Sequence, residues 1–478
     1  MRPRLSMLDA SACERLHEAT LQVLEHTGVK IGSAAARRLL ADAGARVEAE
    51  TDVVHIPRAI VAKALETAPS SVLLAARDAR HDALLDHTRS FATNDGMAAM
   101  VLDHRSGERR LSTAADLHEA MVVSDALDEI GVAWYTVTPC DESPEAQPLR
   151  GIATMLAGTG KHVQAEVSDP RHVSMVMEML ATATDEGRWE RERPIFSAVY
   201  CPISPLQHEG EALDAAMGLA EHGVPITVYS LALAGGTAPV TLAGTVVQVN
   251  AEVLSGFVVL QLAAPGTPLI YVANSGIMDM RAAIYGSTGP EGTLINLAMT
   301  ELGRWYDLPV LSCGFGGDAK EIGMQCGFDG GSMGLASMLA GADLVTGLGA
   351  LDAAQMLYLP KLVLDAEVMR HCRRLVAGVE IDDAHLAVDL IDEVGPGGHY
   401  LGARATRTFL REGEHWLPEV FARQTYESWL AEDRSEVARA TTAVDEILAT
   451  HRPKPLPEGA LERFESIIAE AVNAALVT

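Results

Sequence analysis

What most constrains the fold is a repeated rhythm. A short strand-forming run, a glycine-rich or polar turn and an apolar-periodic helix follow one another through most of the chain. Strand candidates fall at 89–94 (RSFATN), 131–138 (GVAWYTVT), 162–167 (HVQAEV), 195–201 (IFSAVYC), 225–231 (PITVYSL), 268–273 (PLIYVA), 309–313 (PVLSC) and 342–347 (ADLVTG). Helical periodicity occupies 111–130, opened by a Ser/Thr cap, and then 170–186, 208–222, 241–263, 290–306 and 330–341. Eight strands alternating with helices predict a (β/α)8 TIM barrel rather than a doubly wound sheet. The loops that follow the strands are then where ligands are met.

Helical periodicity also marks 8–28, the stretch ending at Gly44, and a third segment beginning PRAIVAKALE, with VVHIP as a short strand between them. The organisation expected is an N-terminal α-rich cap at 1–85, the barrel at 86–380 and a C-terminal helical extension at 381–478. The extension is read as a clamp or an oligomer contact.

Several functions are disfavoured at this level. A formal charge of −28 leaves no basic stripe for nucleic acid. The N-terminus lacks the long apolar segment of a signal peptide, and no run of about 18 uncharged apolar residues predicts a membrane span. Six cysteines without a CxxC suit reduced thiols in the cytoplasm. The glycine runs at 314–317 and 347–349 are followed by no GKS or GKT, and no GxGxxG stands between a strand and a helix. HxH and HExxH are absent too, and no GxSxG stands at a strand-to-helix elbow, so neither a metal site nor a nucleophile elbow is expected. No residue is assigned as catalytic.

Strand parity suggests what lines the barrel. If Val163, Ala165 and Val167 face the helices, Gln164 and Glu166 face inward. The same alternation puts Thr227 and Tyr229 inside, and Tyr271 inside with Ile270 and Val272 outside. A carboxylate among tyrosines at the mouth either holds a quaternary ammonium by cation–π attraction or simply packs the barrel. Other polar loops share that mouth: Asn94-Asp95, Asn274 with Asp279, Gly316 to Lys320, and Thr346 to Asp352. Asp318 and Lys320 either contact a ligand or pair with each other. Gln248, Asn250 and Glu252 sit further along their helix, where holding the preceding loop is the better reading.

Several strings resemble the trimethylamine methyltransferase family of corrinoid-dependent enzymes. They are CPISPLQ (201–207), AGGTAPVTLAGTVVQVNAEVLSG (234–256), SGIMDMRAAIYGSTGPEGTLINLAMTELGRWYDLP (275–309), GGDAK (316–320) and LIDEVGPGGHYLG (390–402). The resemblance implies a barrel that binds a methylated amine at its C-terminal mouth. It also implies docking of a small partner protein whose corrinoid (cobalamin) cobalt accepts the methyl group. Family members acting on trimethylamine carry pyrrolysine, whereas 316–334 holds only standard residues here, so the chain resembles the non-pyrrolysine branch that includes glycine betaine demethylases. On this reading Glu166, Tyr229, Tyr271 and Phe315 form the ammonium cage. Asn94, Asp318 and Lys320 orient the rest of the substrate, Lys320 suiting a betaine carboxylate. Thr346, Gly347 and Gly349 face the corrinoid, and a homo-oligomer is implied. The chain departs from the family pattern at VTGLG (345–349) and at Phe328-Asp329-Gly330-Gly331. Those departures motivate two alternatives: a quaternary-amine-binding scaffold without chemistry, or a methyltransferase with another acceptor such as a folate.

Overall fold

The computed structural model describes residues 3–432 and 434–475; the outermost residues of the expected cap and extension, and position 433, lie outside them. Eight parallel strands close into a barrel in chain order: β1 (Phe91–Asn94), β2 (Ile130–Trp134), β3 (His162–Glu166), β4 (Phe196–Tyr200), β5 (Ile226–Val228), β6 (Leu269–Ala273), β7 (Val310–Cys313) and β8 (Leu344–Leu348), which pairs with β1. Each is followed by its helix: α1 (Ala114–Ala126), α2 (Gln147–Gly158), α3 (His172–Thr182), α4 (Gly210–Glu221), α5 (Leu242–Ala263), α6 (Pro290–Trp305), α7 (Met324–Ala340) and α8 (Leu359–Ala377). All of the expected strands form. The sequence reading names no helix at α2, where Pro148 opens the first turn. Capping is local and legible at α1, where Thr113 and Asp116 form a reciprocal capping box.

Register decides which side chains see the interior, because residues paired across parallel strands point to the same side. Gln164 pairs with Trp134 and Ser197, Val199 with Thr227, and Thr227 with Ile270. The Gln164 amide donates across the lumen to Thr227 Oγ1 at 2.8 Å and Ser197 Oγ at 3.2 Å, which fixes that side as the interior. The opposite side meets the helices: Ser312 Oγ bonds Thr300 of α6 and Ser337 of α7, both at 3.0 Å.

The floor is closed by the N-terminal segment. A hairpin (Val72–Leu74 with Ala83–Leu85) leads to a turn beneath β3 and β4, where Ala75 N donates to Pro194 O at 3.0 Å. His162 bridges Ala75 O at 2.8 Å and Ser197 Oγ at 2.9 Å, and burial lowers its pKa to about 4, so it stays neutral. The cap is not purely helical. Val29–Ile31 pairs with Val53–His55 and also with Gln207–His208 from the β4–α4 loop, so cap and barrel share a sheet. The C-terminal helices Glu436–Thr450 and Ala460–Ala475 pack on the barrel helices, and Val444, Phe464 and Ile467 belong to the main core. Between α8 and those helices the chain is mostly exposed, with Leu401 85% and Leu417 68%, and is anchored where Val420 enters the main core.

α5 is, by length and composition, apolar enough to cross a membrane, although Glu252 interrupts it so that it holds no uncharged run of about 18 residues. Here it is a wall helix, buried along most of its length and carrying a buried glutamate, Glu252, at its centre.

Candidate active site

The C-terminal ends of the strands converge on one mouth. β2 delivers Trp134, β3 Glu166, β4 Cys201 just past its end, β5 Tyr229, and β6 Asn274 one residue on. Asp95 follows β1, and Cys313 ends β7. The Trp134 and Tyr229 rings meet edge to face, with centroids 5.3 Å apart at 76°. Asn274 Nδ2 donates to the Tyr229 hydroxyl and fixes its ring. A hairpin within the β6–α6 loop (Gly276–Asp279 with Ile284–Gly286) brings Tyr285 over this group, close enough for Asp95 and Cys313 to act on its phenol.

Two carboxylates sit among these aromatics without a salt-bridge partner among the described residues. Glu166 accepts a hydrogen bond from the Cys201 thiol at 3.2 Å. Burial raises its pKa, and the thiol offsets this only in part. Asp95 accepts from Gly96 N at 2.9 Å, and burial raises its pKa as well, with Lys361 opposing from a distance. Burial and the Glu166 charge push the Cys201 thiol well above its ordinary value, and burial pushes Cys313 up to about 12. Neither thiol is therefore a nucleophile at neutral pH. Burial likewise keeps the Tyr229 and Tyr285 phenols neutral. Aromatic rings and two carboxylates without a salt-bridge partner among the described residues thus share the C-terminal end of the barrel.

Of the residues expected there, Glu166 and Tyr229 line the mouth. Tyr271 does not: its register is opposite to the one expected, with Ile270 paired to the lumen-facing Thr227. Its hydroxyl donates to Asn250 Oδ1 of α5 at 2.7 Å, and its ring packs against Phe257. Asn94 also points outward, donating to Ser124 Oγ of α1 at 2.9 Å. Phe315 is fully buried under α7, in a slot left by Gly330 and Gly334; a Cβ at Gly334 would sit 2.7 Å from the ring. Asp318 clasps the hairpin instead of a ligand, accepting from Ser287 N at 2.9 Å, Ser287 Oγ at 2.8 Å, and Thr288 N and Oγ1, each at 3.2 Å. Asp329 joins that clasp through Thr288 Oγ1 at 3.1 Å. Lys320 is exposed and paired with Asp352 at 2.8 Å.

The three residues expected to face a corrinoid are also enclosed. Thr346 donates to Asn94 O at 2.6 Å, and Gly349 N donates to Asp365 at 2.8 Å. Gly347, at φ +111°, backs onto Gly316 so closely that no side chain fits between them. Gln248 and Glu252 hold loops: Gln248 donates to Thr237 O at 2.7 Å, and Glu252 accepts from Ser204, Leu206 N, Ser230 and Gln248.

Trp134 and Tyr285 are the residues that strand reading misses. Trp134 has a signal: small Gly131 and Ala133 alternate with it, and it is register-matched to Gln164. Tyr285 has none, because its hairpin is an excursion between a strand and a helix that periodicity joins directly.

A family model described as trimethylamine methyltransferase matches residues 1–474. The chain is 32% identical to trimethylamine methyltransferase MttB of Desulfitobacterium hafniense over 456 residues, covering 95% of this chain and 92% of that one. It is 26% identical to a glycine betaine methyltransferase of Desulfitobacterium hafniense over 470 residues, covering 98% and 97%. The structure superposes on the crystal structure of the Methanosarcina barkeri monomethylamine methyltransferase with a TM-score of 0.55 at 12% identity, over 98% of this chain and 88% of that one, a likeness of fold.

Proposed function

The chain belongs to the trimethylamine methyltransferase family, and from that premise we propose that it demethylates a quaternary amine, passing the methyl group to a corrinoid held by a small partner protein. The observation that carries this reading is the mouth itself: Trp134, Tyr229 and Tyr285 share it with Glu166 and Asp95, two carboxylates without a salt-bridge partner among the described residues. A tetra-alkylated ammonium cannot donate a hydrogen bond, so it is recognised by aromatic faces and by charge.

The corrinoid supplies the nucleophile that takes the methyl group. Everything else falls to this chain. The aromatic walls desolvate the ammonium and limit the directions in which an N-methyl carbon can point. The leaving group is a neutral amine, so no acid is required. As the methyl departs the positive charge goes with it, so attraction to Glu166 and Asp95 fades and product release is favoured. These carboxylates thus act mainly on substrate binding, hence on KM more than on kcat.

A protein partner suits the rim. Met97, Ile203, Val240, Met280, Met324 and Phe328, all on loops or helix starts that follow barrel strands, are exposed apolar residues, Met324 by 92% and Phe328 by 69%. Such a collar is a docking surface rather than an ordinary solvated rim. Six free cysteines suit the reducing conditions that a low-valent corrinoid needs. The exposed apolar stretch at 379–430 supports self-association.

The test is a thermal-shift screen of the protein with quaternary amines, followed by cob(I)alamin methylation with each that binds. An amine at 100 times its Kd adds about 2.7 kcal/mol of stability. Binding with methyl transfer supports the proposal; binding without transfer marks a scaffold or a different acceptor such as a folate. No response to any methylated ammonium removes the cage.

A further inference from the structure

The charge inventory of the mouth says more than that its ligand is cationic. Glu166 and Asp95 contribute two carboxylates, and no Lys, Arg or His side chain forms a salt bridge with either among the described residues. The basic side chains nearest the rim are engaged with acids of their own. Lys320 is on Asp352 at 2.8 Å, Arg281 on Asp279 at 3.0 Å, and buried Lys361 on Asp365 at 2.5 Å. Lys361 spends a second donor on Phe315 O at 2.9 Å. Among the polar atoms left over, all neutral, are Asn274 Oδ1 and the Trp134 indole N–H, both buried and without a partner. The first accepts a hydrogen bond and the second donates one; neither balances a charge.

We propose that this mouth selects methylated amines whose only charge is the ammonium, carrying an uncharged or hydroxyl substituent, over zwitterionic amines that carry a carboxylate. The inference rests on the methylated-amine reading above and narrows it. A betaine carboxylate brought to this mouth meets the charge of Glu166 or of Asp95 and no unpaired cation, and like charges in a poorly solvated site repel strongly. A hydroxyl placed there finds Asn274 Oδ1 as an acceptor. Glu166 and Asp95 are thus specificity-determining residues as well as attractants, excluding one class by repulsion while holding another.

Calorimetric titration of the full-length protein with tetramethylammonium, choline, glycine betaine and glycine betaine amide tests this. Tetramethylammonium and choline should bind at least tenfold more tightly than glycine betaine. The amide, which keeps the shape and removes the charge, should recover most of that difference. Glu166→Gln and Asp95→Asn should each narrow the choline-to-betaine ratio toward one. Glycine betaine binding as tightly as choline, or the amide binding no better than glycine betaine, overturns the inference and leaves the methylated-amine reading standing. Failure of all four to bind overturns that reading itself, and this inference with it.

Discussion

Two glutamates and two tyrosines, one of each on either side of the barrel wall, have opposite surroundings. Glu252, in the helical layer, is fully buried and accepts hydrogen bonds from Ser204, Leu206 N, Ser230 and Gln248. Glu166, in the lumen, has the Cys201 thiol. Tyr271 ends in a hydrogen bond to Asn250 of α5, whereas Tyr229 stands at the mouth with its ring edge to face with Trp134. A buried carboxylate saturated with donors is part of the frame. One left short of donors and counter-charge is waiting for a ligand.

The largest effect expected from this contrast is on stability. Glu252→Ala should cost roughly 3 kcal/mol or more, because it strands several buried donors at once, and the loss should appear in denaturant unfolding at constant m-value. Glu166→Gln should do the reverse, leaving the unliganded protein as stable as the parent or slightly more so, since it removes a carboxylate that burial disfavours. Its quaternary-amine affinity should fall at least tenfold, about 1.4 kcal/mol, read as KM rising with kcat little changed. If both substitutions destabilise equally and neither affects binding, the distinction between frame and site is wrong.

How much of this was visible in the chain depends on the side of the wall. The barrel was legible because eight buried parallel strands must be apolar and must alternate with helices, and β-branched runs such as PITV and PLIYV leave few alternatives. Glu166 and Tyr229 were legible because β3 and β5 alternate cleanly. Tyr271 was misplaced because LIYVA is apolar on both faces, so parity had nothing polar to anchor it, and only the pairing of Thr227 with Ile270 decides the side. Phe315 lies past the end of β7, where the chain folds under α7 and strand parity no longer applies. Asp318 and Lys320 stand beside a glycine pair, as ligand-binding residues often do, yet their partners, Ser287, Thr288 and Asp352, are remote or unremarkable in sequence.

Tyr271→Phe sharpens the comparison between the tyrosines. It removes one buried hydrogen bond, to Asn250 Oδ1 at 2.7 Å, and should cost about 1 kcal/mol of stability. Amine binding should not change, because the ring lies behind the wall. A parallel Tyr229→Phe should alter amine binding through the loss of the Asn274 anchor. Equal effects of the two on binding would mean that Tyr271 reaches the lumen after all.

The smallest effect separates folding from binding by pH. Burial raises the folded-state pKa of Glu166 and Asp95 above the ordinary carboxylate range, so folding favours their protonated forms. Their contribution to stability is therefore fully present below the unfolded pKa values and is lost as pH rises through the raised folded values. Cation binding has the opposite sign, because only the ionised forms attract an ammonium. Over that window the unliganded protein should lose stability by a few tenths of a kcal/mol per pH unit, a fraction of the roughly 1.4 kcal/mol that one whole proton allows. Over the same window its affinity for tetramethylammonium should rise. In Glu166→Gln both slopes should flatten, leaving the share due to Asp95. Parallel slopes, with affinity falling as stability falls, would mean that these carboxylates belong to the frame like Glu252 and do not meet the ligand.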